Sequence, residues 1–143
     1  MSKIFRDLHN NIKIIRSLSP KAVTTDGGET GVGVDRKGYQ AVELAFAYGS
    51  ITTTTGVVTA TVEHSDAETT GFATVTAALL LGSGFGLTSA ATRTSGVSKN
   101  VTKRVGYRGY KRYVRGKVVP TGTAAAPMAI DVILGAPDIA ATD

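Results

Sequence analysis

Glu63-His64-Ser65-Asp66, with Glu68 close behind, brings an imidazole, a hydroxyl and three carboxylates into one short stretch. Those groups are the ingredients of a divalent-metal site. The spacing argues against it. Neighbouring residues of a strand face opposite ways, and the other histidine, His9, is not placed to complete a ligand set. The segment reads as a solvated turn, with residues 65–71 (SDAETTG) its most turn-like part. No metal ligand is assigned.

Glycine patterns lead to a similar conclusion. Gly31-Val32-Gly33 lacks the third glycine of a dinucleotide fingerprint and opens no helix. Gly33 and Gly38 have the spacing of a phosphate loop, but Tyr39 stands where its lysine is required. Gly82-Ser83-Gly84-Phe85-Gly86 runs into Leu87 with no helix signal. All three are turns, and no cofactor is assigned. The chain has no cysteine, which removes disulfides, thiolate metal sites and a cysteine nucleophile together. Its serines have no histidine and carboxylate placed to activate them. The sequence is therefore read as that of a non-enzymatic protein.

What remains is charge. Eight of the 16 Lys and Arg residues lie between Lys99 and Lys117, a stretch with no acid, so the rest of the chain carries eight basic residues against 11 acidic ones. Residues 101–119 (VTKRVGYRGYKRYVRGKVV) read as two strands of a hairpin joined at a corner from Gly106 to Gly109. Alternation after the corner turns Val114 and Val118 to the core and Lys111, Tyr113, Arg115 and Lys117 outward. The candidate partner-binding residues are Lys103, Arg104, Tyr107, Arg108, Tyr110, Lys111, Arg112, Tyr113, Arg115 and Lys117. Basic side chains interleaved with tyrosines suit phosphates and bases, or a carboxylate-rich protein surface that arginine can pair bidentately.

The elements that hold this segment are short strands. Residues 40–48 (QAVELAFAY) alternate, with Val42, Leu44, Phe46 and Tyr48 on one face. Residues 57–64 alternate likewise through Val58, Ala60 and Val62, and residues 128–134 through Met128, Ile130, Val132 and Leu134. Weaker strands are expected at 11–17, 21–25, 32–35 and 72–76, with Ser19-Pro20 ending the first of them. Turns are expected at Asp26-Gly27-Gly28, Lys37-Gly38 and Pro120-Thr121-Gly122, a polar loop at 50–56 and an exposed loop at 82–96. Residues 77–81 (AALLL) leave helix and strand open. Many short strands without a long helix make an all-β antiparallel sandwich or barrel. Its parts are an N-terminal arm at 1–10, a single domain at 11–135 and a tail at 136–143. No apolar run approaches the roughly 18 residues of a membrane span, and no membrane partner is expected.

Several short motifs resemble one family. They are Asp7-Leu8-His9-Asn10-Asn11-Ile12-Lys13, Ser19-Pro20-Lys21-Ala22-Val23-Thr24, Gly38-Tyr39, Glu63-His64-Ser65-Asp66 and, above all, the run from Val105 to Arg115 (VGYRGYKRYVR). Together they span the chain from Asp7 to about Leu134 and are similar to the cement, or decoration, proteins of short-tailed Bordetella phages and their relatives. The resemblance implies a jelly roll that sits as a homodimer on the outside of the phage head and clamps neighbouring capsomers. The implied partners are the major capsid protein and a second copy of the chain. The implied location is the capsid exterior, after assembly in the host cytoplasm. Two alternatives stand beside it. One is a nucleic-acid-binding β-barrel using residues 99–117, which has few aromatics for stacking. The other is a tail or fibre component, which the absence of repeats and trimer-forming heptads disfavours.

Overall fold

A computed structural model describes residues 7–23, 28–50, 57–82, 100–121 and 126–138. The expected turn at Asp26-Gly27, most of the 50–56 and 82–96 loops, Gly122, the start of the arm and the end of the tail lie outside these residues. After a short 3-10 turn (His9–Asn11), the described chain is built on strands. These are β1 (Ile12–Val23), β2 (Glu29–Thr30), β3 (Val34–Asp35), β4 (Tyr39–Tyr48), β5 (Val57–Ser65), β6 (Ala73–Thr74), β7 (Leu80–Leu81), β8 (Val101–Tyr107), β9 (Tyr113–Thr121) and β10 (Ala126–Pro137).

Every pairing is antiparallel. One sheet has the order β1-β10-β4-β8-β7 and the other β2-β9-β5-β6, with β3 also beside β9. The protein is thus an all-β sandwich. With β2 and β3 read as one interrupted strand, the chain changes layer at each step except from β5 to β6 and from β7 to β8, in the double-sheet order of a jelly roll.

Alternation dictates the core. Val42, Leu44, Phe46 and Tyr48 of β4 are buried, as are Met128, Ile130, Val132 and Leu134 of β10. They meet Val58, Ala60 and Val62 of β5 and Val114 and Val118 of β9 from the opposite sheet. Each large side chain buried this way contributes about 1.5–3 kcal/mol relative to exposure. Gly116 belongs to this layer. A Cβ there would come within 2.8 Å of Ile130 and 3.2 Å of Phe46, so its missing side chain admits the bulk of the facing sheet.

Two local expectations need correction, and residues 77–81, where sequence leaves helix and strand open, are settled. Ser19-Pro20 does not end the first strand, which runs on to Val23. β1 is an edge strand whose register shifts between Arg16 and Leu18 and again between Leu18 and Lys21, and bulged edges tolerate a proline without an N–H. The first shift buries Ser17 beside Leu18, and the Ser17 hydroxyl donates to the Val32 carbonyl at 3.0 Å. Residues 77–81 are neither one helix nor one strand, since a 3-10 turn at Ala77–Leu79 leads into β7. The last strand reaches Pro137 rather than giving way to a tail at 136. The Asp138 N–H there donates to the Gly38 carbonyl at 2.8 Å.

Candidate docking surface

The largest correction concerns the basic segment, which is not a hairpin. β8 lies in one sheet between β4 and β7, while β9 lies in the other between β5 and the β2/β3 edge. Residues 108–112 therefore carry the chain across the end of the sandwich. The physical reason is burial. Val105 and Tyr107 on β8 and Val114 and Val118 on β9 are all buried, and opposite layers let the two apolar faces cover one another.

Tyr107 holds this corner. Its ring is buried, and its hydroxyl accepts the Lys111 N–H at 3.2 Å and lies 2.8 Å from His64 Nδ1. Gly109 packs directly on the ring, where a Cβ would overlap the Tyr107 hydroxyl. Outside the corner, the Arg108 N–H donates to the Leu79 carbonyl at 2.8 Å and the Arg36 N–H to the Arg112 carbonyl at 3.0 Å. Arg36 Nε reaches the Lys111 carbonyl at 2.9 Å, with its guanidinium 5.9 Å from the Tyr107 ring centre.

The surroundings of His64 favour its neutral form. The Tyr107 oxygen accepts from the Lys111 N–H and can either accept from or donate to His64 Nδ1, so this contact serves either tautomer of the imidazole. Burial, and then the Lys111 ammonium, push the imidazole pKa below its usual value, with Asp66 acting the other way. A histidine depressed on folding contributes stability that is complete above the unfolded-state pKa, near 6.5. That stability is lost as pH falls through and below it. The expected result is that the stability advantage of the native chain over His64→Gln shrinks between pH 7.5 and 5, as read by denaturant unfolding at each pH. An advantage that grows on acidification would contradict the downward shift of the imidazole.

The predicted site residues do not share one surface. Lys103 lies across from Phe46 on the core side of β8 and is half-buried. Arg104 points out from the same strand, 83% exposed, with Nη1 3.7 Å from Glu43 Oε1. Arg115 and Lys117 lie on the outer face of β9. Arg115 bonds Glu63 at 2.7 Å through Nε and stacks 3.9 Å over Phe72, while Lys117 Nζ is 3.9 Å from the same carboxylate. Tyr113, on the same strand, is half-buried with the Arg112 guanidinium 5.2 Å over its ring. At the corner, Lys111 pairs with Asp66, and Arg112 clasps Asp35 through Nε at 3.0 Å and Nη2 at 2.7 Å. That hydrogen bond holds the Asp35 carboxyl below its usual range. Tyr107, expected to meet a partner, is instead the buried post of the corner.

Much of the basic charge is thus answered by the chain's own acids. Asp35, Glu43, Glu63 and Asp66 are not marked as its partners by spacing, but the acid excess outside residues 99–117 is the signal that announces them. The strand expected over residues 57–64 takes in Glu63 and His64, so only Asp66 and Glu68 of that acidic motif lie in the turn. Glu63 is buried, and the turn begins only after Ser65.

What is left open at this end of the sandwich is compact. Arg108 is exposed, with Nη2 3.4 Å from the Ala78 carbonyl, and Tyr110 is 91% exposed. The fold adds two cations that sequence does not mark out, Arg36 and Lys37. They line a shallow cleft of about 220 Å³ together with Tyr39, Tyr110 and Arg112. One acid, Asp138, also lines it and accepts a hydrogen bond from the Gln40 side-chain amide. A broader concavity of about 440 Å³ lies on the outer face of the first sheet, floored by small residues such as Ala41, Gly106 and Gly135. Among the described residues no three His, Asp or Glu side chains are grouped to hold a metal ion, and no helix is long and apolar enough to cross a membrane. No protein-family model matches the chain, and no curated protein sequence matches it.

Proposed function

We propose that this chain is a capsid cement protein of a tailed phage, which binds the outer surface of the head and clamps neighbouring capsomers. The observation that supports this best is spatial. Gly38-Tyr39, Glu63-His64-Ser65-Asp66 and the 105–115 run are separate motifs of the resemblance, and they meet at one corner of the sandwich. Gly38 and Tyr39 line the cleft with Tyr110 and Arg112. His64 and Asp66 bond Tyr107 and Lys111, and Glu63 bonds Arg115. A rigid jelly roll with a cationic, aromatic corner is what a clamp requires, since weak contacts repeated over a lattice add up to firm attachment.

Pairing of two copies fits the outer face of the first sheet. Ala45, Ala47, Ala129 and Ile133 make it smooth, and Arg104, Glu43 and Asp131 give it both signs of charge. A two-fold copy can therefore set cation against carboxylate. The nucleic-acid reading is weaker. Of the three corner tyrosines, Tyr107 is buried and Tyr113 half-buried, which leaves Tyr110 alone for stacking on a base. The experiment that tests the proposal is separation of DNA-free heads on a density gradient, asking whether the chain travels with the shell protein.

A further inference from the structure

We infer that the cleft between the 36–40 turn and the 108–112 corner binds an acidic, extended segment of a partner protein through its carboxylates. The inference rests on the proposed capsid role only in naming the shell protein as that partner. Three features of the cleft carry it.

The first is preorganised charge. Arg36 is held by its Nε bond to the Lys111 carbonyl and by its place near the Tyr107 ring, which leaves its terminal nitrogens with no partner among the described residues. Lys37, beside it, makes no salt bridge among the described residues, although its charge acts on the Asp35 carboxylate, which also accepts its backbone N–H at 2.9 Å. A guanidinium already held in place, as that of Arg36 is, loses little freedom on binding. The second is the chemistry the corner already displays. Arg112 holds the Asp35 carboxylate with two parallel bonds and Lys111 holds Asp66, so carboxylates are the anions that the side chains of this corner already pair with. The third is Tyr110 at the mouth. An aromatic 91% exposed and flanked by cations gains most when a polypeptide covers it, which is the usual make-up of an interface anchor.

Size and composition narrow the ligand. At about 220 Å³ the cleft is smaller than the roughly 300–1,000 Å³ of sites for drug-sized molecules. A lone exposed tyrosine gives no ladder for successive bases, so a peptide is favoured over a single-stranded nucleic acid.

The test is a nitrogen-15 NMR titration of the full chain at low salt with hexaglutamate, with hexalysine and a thymidine hexanucleotide as comparisons. The expected result is saturable shifts of the Arg36, Lys37, Gly38 and Tyr110 amides with hexaglutamate and none with hexalysine. Lys37→Glu and Tyr110→Ala, both at exposed positions that leave the fold intact, should each weaken hexaglutamate binding tenfold or more. Shifts centred elsewhere, unchanged affinity in both variants, or tighter binding of the hexanucleotide would overturn the inference. A chain that joins heads while hexaglutamate leaves the cleft unshifted overturns the cleft but not the capsid role. A cleft that binds hexaglutamate in a chain that ignores heads supports the cleft and removes the shell as its partner.

Discussion

Arg115→Ala is expected to destabilise the protein by about 2–3 kcal/mol, although Arg115 reads from sequence as an outward-facing binding residue. The Glu63 side chain is only 10% exposed and Arg115 23%, and Arg115 Nε lies 2.7 Å from Glu63 Oε2. The guanidinium also covers Phe72 at 3.9 Å. Removing it strands a carboxylate in a largely dry position, with Lys117 3.9 Å away as the remaining cation. Loss of one partner from a fully buried pair costs about 3–5 kcal/mol, and the residual exposure and Lys117 place this case lower. The double variant Glu63→Leu with Arg115→Met should regain most of the loss, because no uncompensated charge is left. Urea unfolding of the three proteins, with midpoint and slope fitted separately, makes the comparison. If Arg115→Ala cost under about 0.5 kcal/mol, the pair would be no more than a surface salt bridge. Charge reversal at Arg115 would accordingly report on folding rather than on docking.

Gly109→Ala should cost a similar amount, about 2–3 kcal/mol, and should also disable the corner. The new methyl would overlap the Tyr107 hydroxyl and lie 2.6 Å from its ring Cε2. The ring cannot retreat freely, since it is 4% exposed and its hydroxyl joins His64 to the Lys111 N–H. Either the ring shifts and those bonds open, or residues 108–112 move off the sandwich. Both outcomes displace Tyr110 and Arg112 relative to Arg36. Tyr107→Phe separates the causes, because it keeps the packing and loses the bonds, at about 1–2 kcal/mol. Thermal unfolding together with amide shifts of residues 36–38 would distinguish them. A Gly109→Ala protein of native stability with unmoved shifts would mean that the corner is loosely packed.

Parts of the fold and of the corner are legible in the sequence and parts are not, for identifiable reasons. β4 and β5 stand out because each alternates cleanly between a buried and a more exposed face, as Val42, Leu44 and Phe46 and then Val58, Ala60 and Val62 show. Pro20 misleads because a proline forbids only its own N–H bond, and nothing local says that β1 is a bulged edge. The crossing of residues 108–112 is harder still. Local pattern marks two strands and a corner, but the partners of β8 and β9 are β4 and β5, far earlier in the chain. Two strands that follow one another look alike whether they pair or part. Charge shows the same limit. Composition reveals that acids elsewhere outnumber bases, yet only the fold delivers Asp35 to Arg112 and Glu63 to Arg115. Arg36 and Lys37 give no sign of their role, because nothing in a turn predicts which corner it will adjoin.

The most direct test of the capsid role is gradient separation of purified heads emptied of DNA, with quantitation of this chain against the shell protein. The expected result is co-migration at one fixed ratio from preparation to preparation, and return to that ratio when purified chain is added to stripped heads. A chain that stays at the top of the gradient, or follows DNA-filled particles alone, would contradict the capsid role.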